Sequence, residues 1–242
     1  MTQPGLGIIV FARMSSQRLP GKVLMDFGGR PLLAHILLRA SALEVPIVVA
    51  TSDGKDDDDV ANLAKSCGIP AFRGSLDDVL QRAVDCADAH GFDAFARLCG
   101  DRPYFPQNPM RDALAAMSAS FAEGLPADLI SNHFPSSPPA GLTTEVVRVA
   151  ALRRALEGGA SGHHREHLTA YLYEHAAQFR IQSLTASFNG VSGQRFAVDT
   201  QQDYRLLDAI AHGLDDVNAS HDTVANLMLA AVDAGVSDVA SE

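Results

Sequence analysis

Residues 7–24 read GIIVFARMSSQRLPGKVL. An apolar run of strand type gives way to a loop of small residues (Ser15, Ser16, Gly21) carrying three cations, Arg13, Arg18 and Lys22. No Asp or Glu precedes Asp26, although the chain has 29 acidic residues against 19 basic. Two familiar phosphate loops can be tested against it. A P-loop requires G-x-x-x-x-G-K-[ST], but Ser16 stands at the earlier glycine and Val23 follows Lys22, leaving no hydroxyl for a metal. A dinucleotide fingerprint fails as well, because Gly5 and Gly7 precede the strand and Val10 stands where the third glycine belongs. What remains is a strand ending in a long cationic loop. Its backbone N–H groups and cations can wrap a triphosphate; alternatively, it is a surface loop whose cations pair with distant carboxylates.

Strand-like and helix-like segments alternate outward from this loop. Residues 6–12, 46–51, 69–73 and 92–98 are short apolar runs bounded by turn residues, and 31–43, 57–66 and 76–90 carry apolar residues at helical spacing. Such alternation predicts right-handed βαβ units and a mainly parallel sheet covered on both faces. Ligands of open sheets lie beyond the carboxyl ends of the strands, so the loops after 12, 51, 73 and 98 share one rim. SNHFPSSPPAGLTT (131–144) then begins an excursion. A strand over 142–148 and helices over 149–157 and 164–176 follow it. Strands over 180–184 and 194–198 return to the sheet, and helices over 201–213 and 221–234 close the chain. The expectation is one α/β domain over 1–242 carrying a small inserted subregion at about 131–185.

Composition narrows the function. The formal net charge of −10 excludes a non-specific grip on nucleic acid, which needs a basic surface to release counterions. A small anion needs only a local cluster of cations and N–H groups. With 47% apolar and 20% charged residues the chain reads as globular. Its N-terminal apolar run is too short for a signal peptide or membrane span, so a cytoplasmic protein without membrane association is expected. Cys67, Cys86 and Cys99 form no C-x-x-C pair and read as buried thiols.

FARMSSQRLPGKVL resembles the A-R-x-x-S-x-R-L-P-G-K-x-L signature of the sugar-acid cytidylyltransferases. These include CMP-KDO synthetases, acylneuraminate cytidylyltransferases and, most similar, the spore-coat-polysaccharide type. The likeness recurs in GRPLLAHILLRA (29–40), FRGSLDDVLQRAVDCA (72–87), ARLCGDRPYFPQNP (96–109), REHLTAYLY (165–173) and RFAVDTQQDYRLLDAI (195–210). It implies a Rossmann-like α/β nucleotidyltransferase fold. It also implies a Mg²⁺-dependent reaction that joins CTP to a sugar acid and releases pyrophosphate, serving surface polysaccharide or glycoconjugate synthesis, and a homodimer formed through the insertion. Residue by residue, Ala12, Arg13, Ser15, Arg18 and Lys22 would surround the CTP phosphates. Arg73 and Ser75 would meet base and ribose. Arg165 and His167 would face the acceptor, with arginine pairing its carboxylate.

Arg13, Lys22 and Asp101 are the candidate catalytic residues. Asp101 and Asp199 each follow a predicted strand on the phosphate rim, and Mg²⁺ is satisfied by one or two carboxylates with waters and substrate phosphates. The competing readings are a turn former before Pro103 for Asp101 and a helix cap for Asp199. The chain departs from the family at Arg102, where a small residue is usual. It departs again at Thr143 and Thr144, which replace an acidic pair and leave only Glu145; the acceptor is open there. His163-x-x-Glu166-His167 also spells an inverted zinc-protease motif, which gives a zinc hydrolase as a rival to a nucleotidyltransferase of other base or acceptor choice and to a nucleotide-binding protein without turnover. The acidic run at 56–59 reads as solvated charge at a helix N-terminus.

Overall fold

The computed structural model describes residues 4–135, 137–188, 191 and 193–236; Ser136, inside the Pro/Ser-rich stretch, lies outside them. Four strands form the parallel part of one sheet: β1 (Leu6–Phe11), β2 (Ile47–Ser52), β3 (Ala71–Gly74) and β4 (Ala94–Cys99). They interleave with α1 (Leu32–Ser41), α2 (Asp58–Ser66) and α3 (Val79–His90). Then come α4 (Gln107–Ala122), β5 (Leu129–Ser131), β6 (Glu145–Arg148) and α5 (Val149–Glu157). The chain continues through α6 (His163–Glu166), α7 (Ala170–Glu174), β7 (Ile181–Ser183), α8 (Gln201–His212) and α9 (His221–Asp233).

The strand order is β3-β2-β1-β4-β6-β5-β7. β1 pairs in parallel with both β2 and β4, while β6 runs antiparallel to β4 and β5. Alternate residues of β1 serve opposite layers. Ile8 and Val10 pack with α1, α2, α4, α8 and α9, whereas Ile9 packs with α3, α5 and α7. This is the doubly covered α/β sheet that the alternating segments predict. The chain winds outward from β1 to β3 and then returns to place β4 on the other side of β1. That reversal opens a crevice at the carboxyl ends of β1 and β4. Because β6 is antiparallel, its first residue, Glu145, lies on the same rim.

Several elements depart from expectation. Helix α4 is absent from the sequence reading because prolines surround its start. Pro106 is its N-cap and Pro109 lies in its first turn, where a missing N–H leaves no intrahelical bond unmade. The single helix expected over 164–176 is broken into α6 and α7. The break buries Leu168 completely and turns the Thr169 hydroxyl onto Glu145 at 2.8 Å. The strand expected over 194–198 does not form. There, Phe196 N donates to Ala140 O at 2.7 Å and Val198 N to Asp101 O at 2.8 Å, so the segment lies across the rim instead of joining the sheet. Gly141 makes this crossing possible: it has φ of 95°, and a Cβ there would stand 2.3 Å from the Phe196 carbonyl carbon. Cys86 is buried, but Cys67 is exposed, since it caps α2 on the outer surface.

Candidate active site

The loop after β1 is held at Met14. Its N–H donates to Asp57 Oδ1 at 2.6 Å, and its carbonyl accepts from Ser16 N at 2.9 Å and Gly21 N at 3.0 Å. Gly21 has φ of 72°, a left-handed turn that lets the chain reverse into the short 3₁₀ turn at Lys22–Leu24. The loop therefore encloses a space instead of collapsing. Arg13, Ser15, Ser16 and Gln17 line a cleft of about 530 Å³, closed on its far side by Leu76, Asp77, Gly162 and Glu166. Arg18 lines an adjoining hollow. The size suits a small organic ligand and the polar lining suits a charged one. Arg13 is held only loosely, by Glu166 at 3.4 Å in an exposed pair.

Lys22 is the centre of the arrangement. Although only 7% exposed, it donates to Asp101 Oδ2 at 2.7 Å, Val198 O at 2.7 Å and Asp199 Oδ1 at 3.3 Å. The sequence separates these partners by up to 177 residues, and the crossing segment 194–198 brings them together. Arg18 reaches Asp199 Oδ2 at 3.0 Å and Arg195 the same oxygen at 2.6 Å. Burial pushes the Asp199 pKa up, but Lys22, Arg18 and Arg195 outweigh it and hold the carboxyl below its usual range. Asp199 is not the helix cap: Thr200 caps α8 and forms a capping box with Asp203. Gly100 is required beside this centre, because a Cβ there would approach Ala12 Cβ to 2.9 Å.

Other candidates are placed differently. Arg73 turns back along the sheet edge, donating to Ser52 O at 2.9 Å and Gly54 O at 2.6 Å and pairing with Asp58. Ser75 Oγ accepts from Asp78 N at 3.1 Å and shapes the turn into α3, while its neighbours Leu76 and Asp77 reach the cleft. Arg165 donates to Asp78 Oδ2 at 2.7 Å and Ala160 O at 2.8 Å. His167 is exposed at the end of α6. The zinc-protease triad is not assembled: Glu166 meets Arg13, and His163 meets Glu174 at 2.7 Å.

Three features escape a reading of the sequence. Asp57 is not solvated with the rest of the acidic run. It is 2% exposed and accepts from Met14 N, Ser52 N and the Ser52 hydroxyl. Its pKa is lowered, as these bonds overcome the opposing effect of burial. Arg82, within the 72–87 segment, is buried and donates to Ser75 O and Leu76 O, bracing the wall of the cleft. Glu145 is 3% exposed and accepts from Arg97 at 2.7 Å and from Thr169 and Tyr173 hydroxyls at 2.8 Å. Thr144 is buried, with its N–H on Asn132 Oδ1 at 2.8 Å. Nothing in the spacing of residues 56–59 singles out Asp57, since the inward-facing acid is chosen by the loop packed above it.

Comparison with known proteins identifies the family and the fold. The family model described as cytidylyltransferase matches residues 7–218. The spore coat polysaccharide biosynthesis protein SpsF of Bacillus subtilis is 34% identical over 88% of this chain and 90% of its own. A cytidylyltransferase structure from Leptospira borgpetersenii superimposes with a TM-score of 0.85 at 24% identity, covering 99% of both chains. A CMP-2-keto-3-deoxy-manno-octonic acid synthetase solved with CTP superimposes with a TM-score of 0.65 at 20% identity, covering 86% of this chain and 99% of its own.

Proposed function

Because the chain belongs to the cytidylyltransferase family, we propose that it activates a sugar acid with CTP, using Mg²⁺, to give a CMP-sugar and pyrophosphate for polysaccharide or glycoconjugate synthesis. The observation that carries this reading is the convergence of Lys22, Asp101 and Asp199 at the crevice between β1 and β4, beside a loop that presents Arg13 and Arg18. The acceptor hydroxyl attacks the α-phosphorus as the bond to the pyrophosphate oxygen breaks in line. Arg13, Arg18 and Lys22 neutralise charge on the triphosphate and the leaving group, and the N–H groups of Ser15 and Gln17 complete the cradle. Catalysis rests on positioning and electrostatics.

The donor set fits Mg²⁺. Asp101 and Asp199 are oxygen donors of the kind a hard cation prefers, and the ion would share the two carboxylates with the Lys22 ammonium they hold here. Asp101 and Asp199 would hold the ion, which supplies charge neutralisation at the phosphates when bound. Ser75 and its neighbours would face base and ribose. Arg73 supports that wall from behind through Ser52, Gly54 and Asp58. Contact between Arg165 or His167 and the acceptor requires Arg165 to exchange Asp78 for the substrate carboxylate. We assign acceptor binding and homodimer formation to residues 131–185. The site of action is cytoplasmic; no helix among the described residues is long and apolar enough to cross a membrane.

Pyrophosphate release, measured with each NTP and Mg²⁺ against a panel of sugar acids, tests the proposal. Release is expected with CTP alone among the nucleotides and is expected to vanish in Asp101→Ala. No release with any sugar acid, or equal release from Asp101→Ala, overturns it. A second variant probes the loop. Asp57→Ala strips buried acceptors from Met14 N and Ser52 N, which costs about 2–4 kcal/mol of stability. It should also raise KM for CTP more than it lowers kcat, because the phosphate loop loses its anchor. Denaturant unfolding and steady-state kinetics read the two effects separately.

A further inference from the structure

Away from the cleft, α6 and α7 meet at a corner where two imidazoles share one carboxylate. His163 Nε2 lies 2.7 Å from Glu174 Oε1, and His164 Nε2 lies 2.9 Å from Glu174 Oε2. The three ligand atoms lie within 4.8 Å of one another. We propose that His163, His164 and Glu174 form a binding site for a divalent transition metal of the Zn²⁺ class, separate from the Asp101–Asp199 centre.

The chemistry of the donors selects the ion. Two imidazoles and a carboxylate are ligands for Zn²⁺ and its borderline neighbours, whereas Mg²⁺ takes oxygen donors and keeps its waters. Tetrahedral Zn²⁺ with bonds of about 2.0–2.1 Å sets its ligand atoms about 3.3 Å apart. The shared hydrogen bonds therefore need to open by only about 0.5 Å to admit the ion. Part of the site is already oriented. The His164 side chain is only 14% exposed and stands edge-on to the Tyr171 ring at 5.2 Å. Tyr171 is in turn fixed by its hydroxyl on Gly158 O at 2.7 Å. His163 and Glu174 are open to solvent at 57% and 49%, so an ion can enter and keep water in its remaining position. The contact from Ser161 N to His164 Nδ1 is long, at 3.4 Å, and yields when Nδ1 takes the ring proton.

The site differs from the inverted zinc-protease motif in using His164 and Glu174 in place of Glu166 and His167. Its role in this proposal is structural. It ties α6 to α7, and α6 with its N-cap Gly162 forms part of the cleft wall through Gly162 and Glu166.

The experiment uses the full chain without a histidine tag, stripped with a chelator and held in excess Mg²⁺ to occupy the oxygen-donor centre. Titration with Co²⁺ should give a visible d–d band saturating at about one ion per chain, displaced by Zn²⁺. His163→Ala/His164→Ala and Glu174→Gln should each lose the band. Glu174→Gln replaces an open side chain, whereas the double variant also removes the half-buried His164; unchanged circular dichroism with an unchanged metal-free Tm shows that each folds. No band in the wild-type chain overturns the proposal, as does a band that survives in both variants.

Discussion

Lys22→Met is expected to lower kcat for CMP-sugar formation by about 10²–10³-fold, the cost of removing one preorganised cation from a site of developing charge. The lysine is buried at 7% exposure and its three donors are held by Asp101, Val198 O and Asp199, so it presents a fixed positive charge to the phosphates and positions the two aspartates. Lys22→Arg keeps the charge but should recover little activity, since a planar guanidinium does not fit a point between Asp101, Asp199 and Val198 O. That comparison separates position from charge. The same change alters acid stability. Asp199 has a depressed pKa in the folded protein, so its contribution is present above the unfolded carboxylate value of about 3.9 and is lost as pH falls through the folded value. With Lys22 gone, burial works against fewer cations and the Asp199 pKa rises toward its unfolded value. Unfolding midpoints measured from neutral to acid pH should therefore fall less steeply in Lys22→Met than in the wild-type chain. Equal kcat in wild type and Lys22→Met removes the lysine from the catalytic centre.

Much of the fold can be read in the sequence because its signals are local. The runs at 6–12, 46–51 and 92–98 are apolar on consecutive positions because parallel strands are buried on both sides, and helices α1, α3, α5, α8 and α9 carry the spacing of a single buried face. The sequence is less informative where long-range contacts override local preference. Residues 194–198 have strand composition, yet Ala140 and Asp101 claim their N–H groups. Residues 164–176 have helical composition, yet the buried Glu145 recruits Thr169 and breaks the turn. The loop after β1 stands out because cations in an acid-free stretch need no partner to be noticed. The meeting of Lys22 with Asp101 and Asp199 rests on a crossing that Gly141 permits, and no spacing records it.

Glu145→Gln is expected to destabilise the chain by about 3 kcal/mol, near the lower end for breaking a buried ion pair because the Arg97 side chain keeps 19% exposure. The carboxylate sits on β6 and Arg97 on neighbouring β4; Glu145 also satisfies the hydroxyls of Thr169 and Tyr173. Burial raises the Glu145 pKa, but Arg97 and the two hydroxyls reverse the sign and leave it below the usual range. The stabilisation is therefore present at neutral pH and lost as acid takes the medium through the folded value, so Glu145→Gln should flatten the acid limb of the stability curve. Arg97→Met combined with Glu145→Leu should recover most of the loss, since an apolar pair removes both charges from the sheet. A double-mutant cycle by denaturant unfolding reads this coupling directly. The outcome bears on the acceptor side of the site. Glu145 is the acid that remains beside Thr143 and Thr144, and a metal or substrate ligand there would abolish turnover while leaving stability unchanged. Arg97, Thr169 and Tyr173 engage both oxygens of this carboxylate inside the sheet, which suits a fixed structural role. Loss of stability in Glu145→Gln, with stability largely restored and activity retained in the apolar double variant, is the result this geometry requires; loss of activity without loss of stability would make Glu145 a member of the catalytic centre.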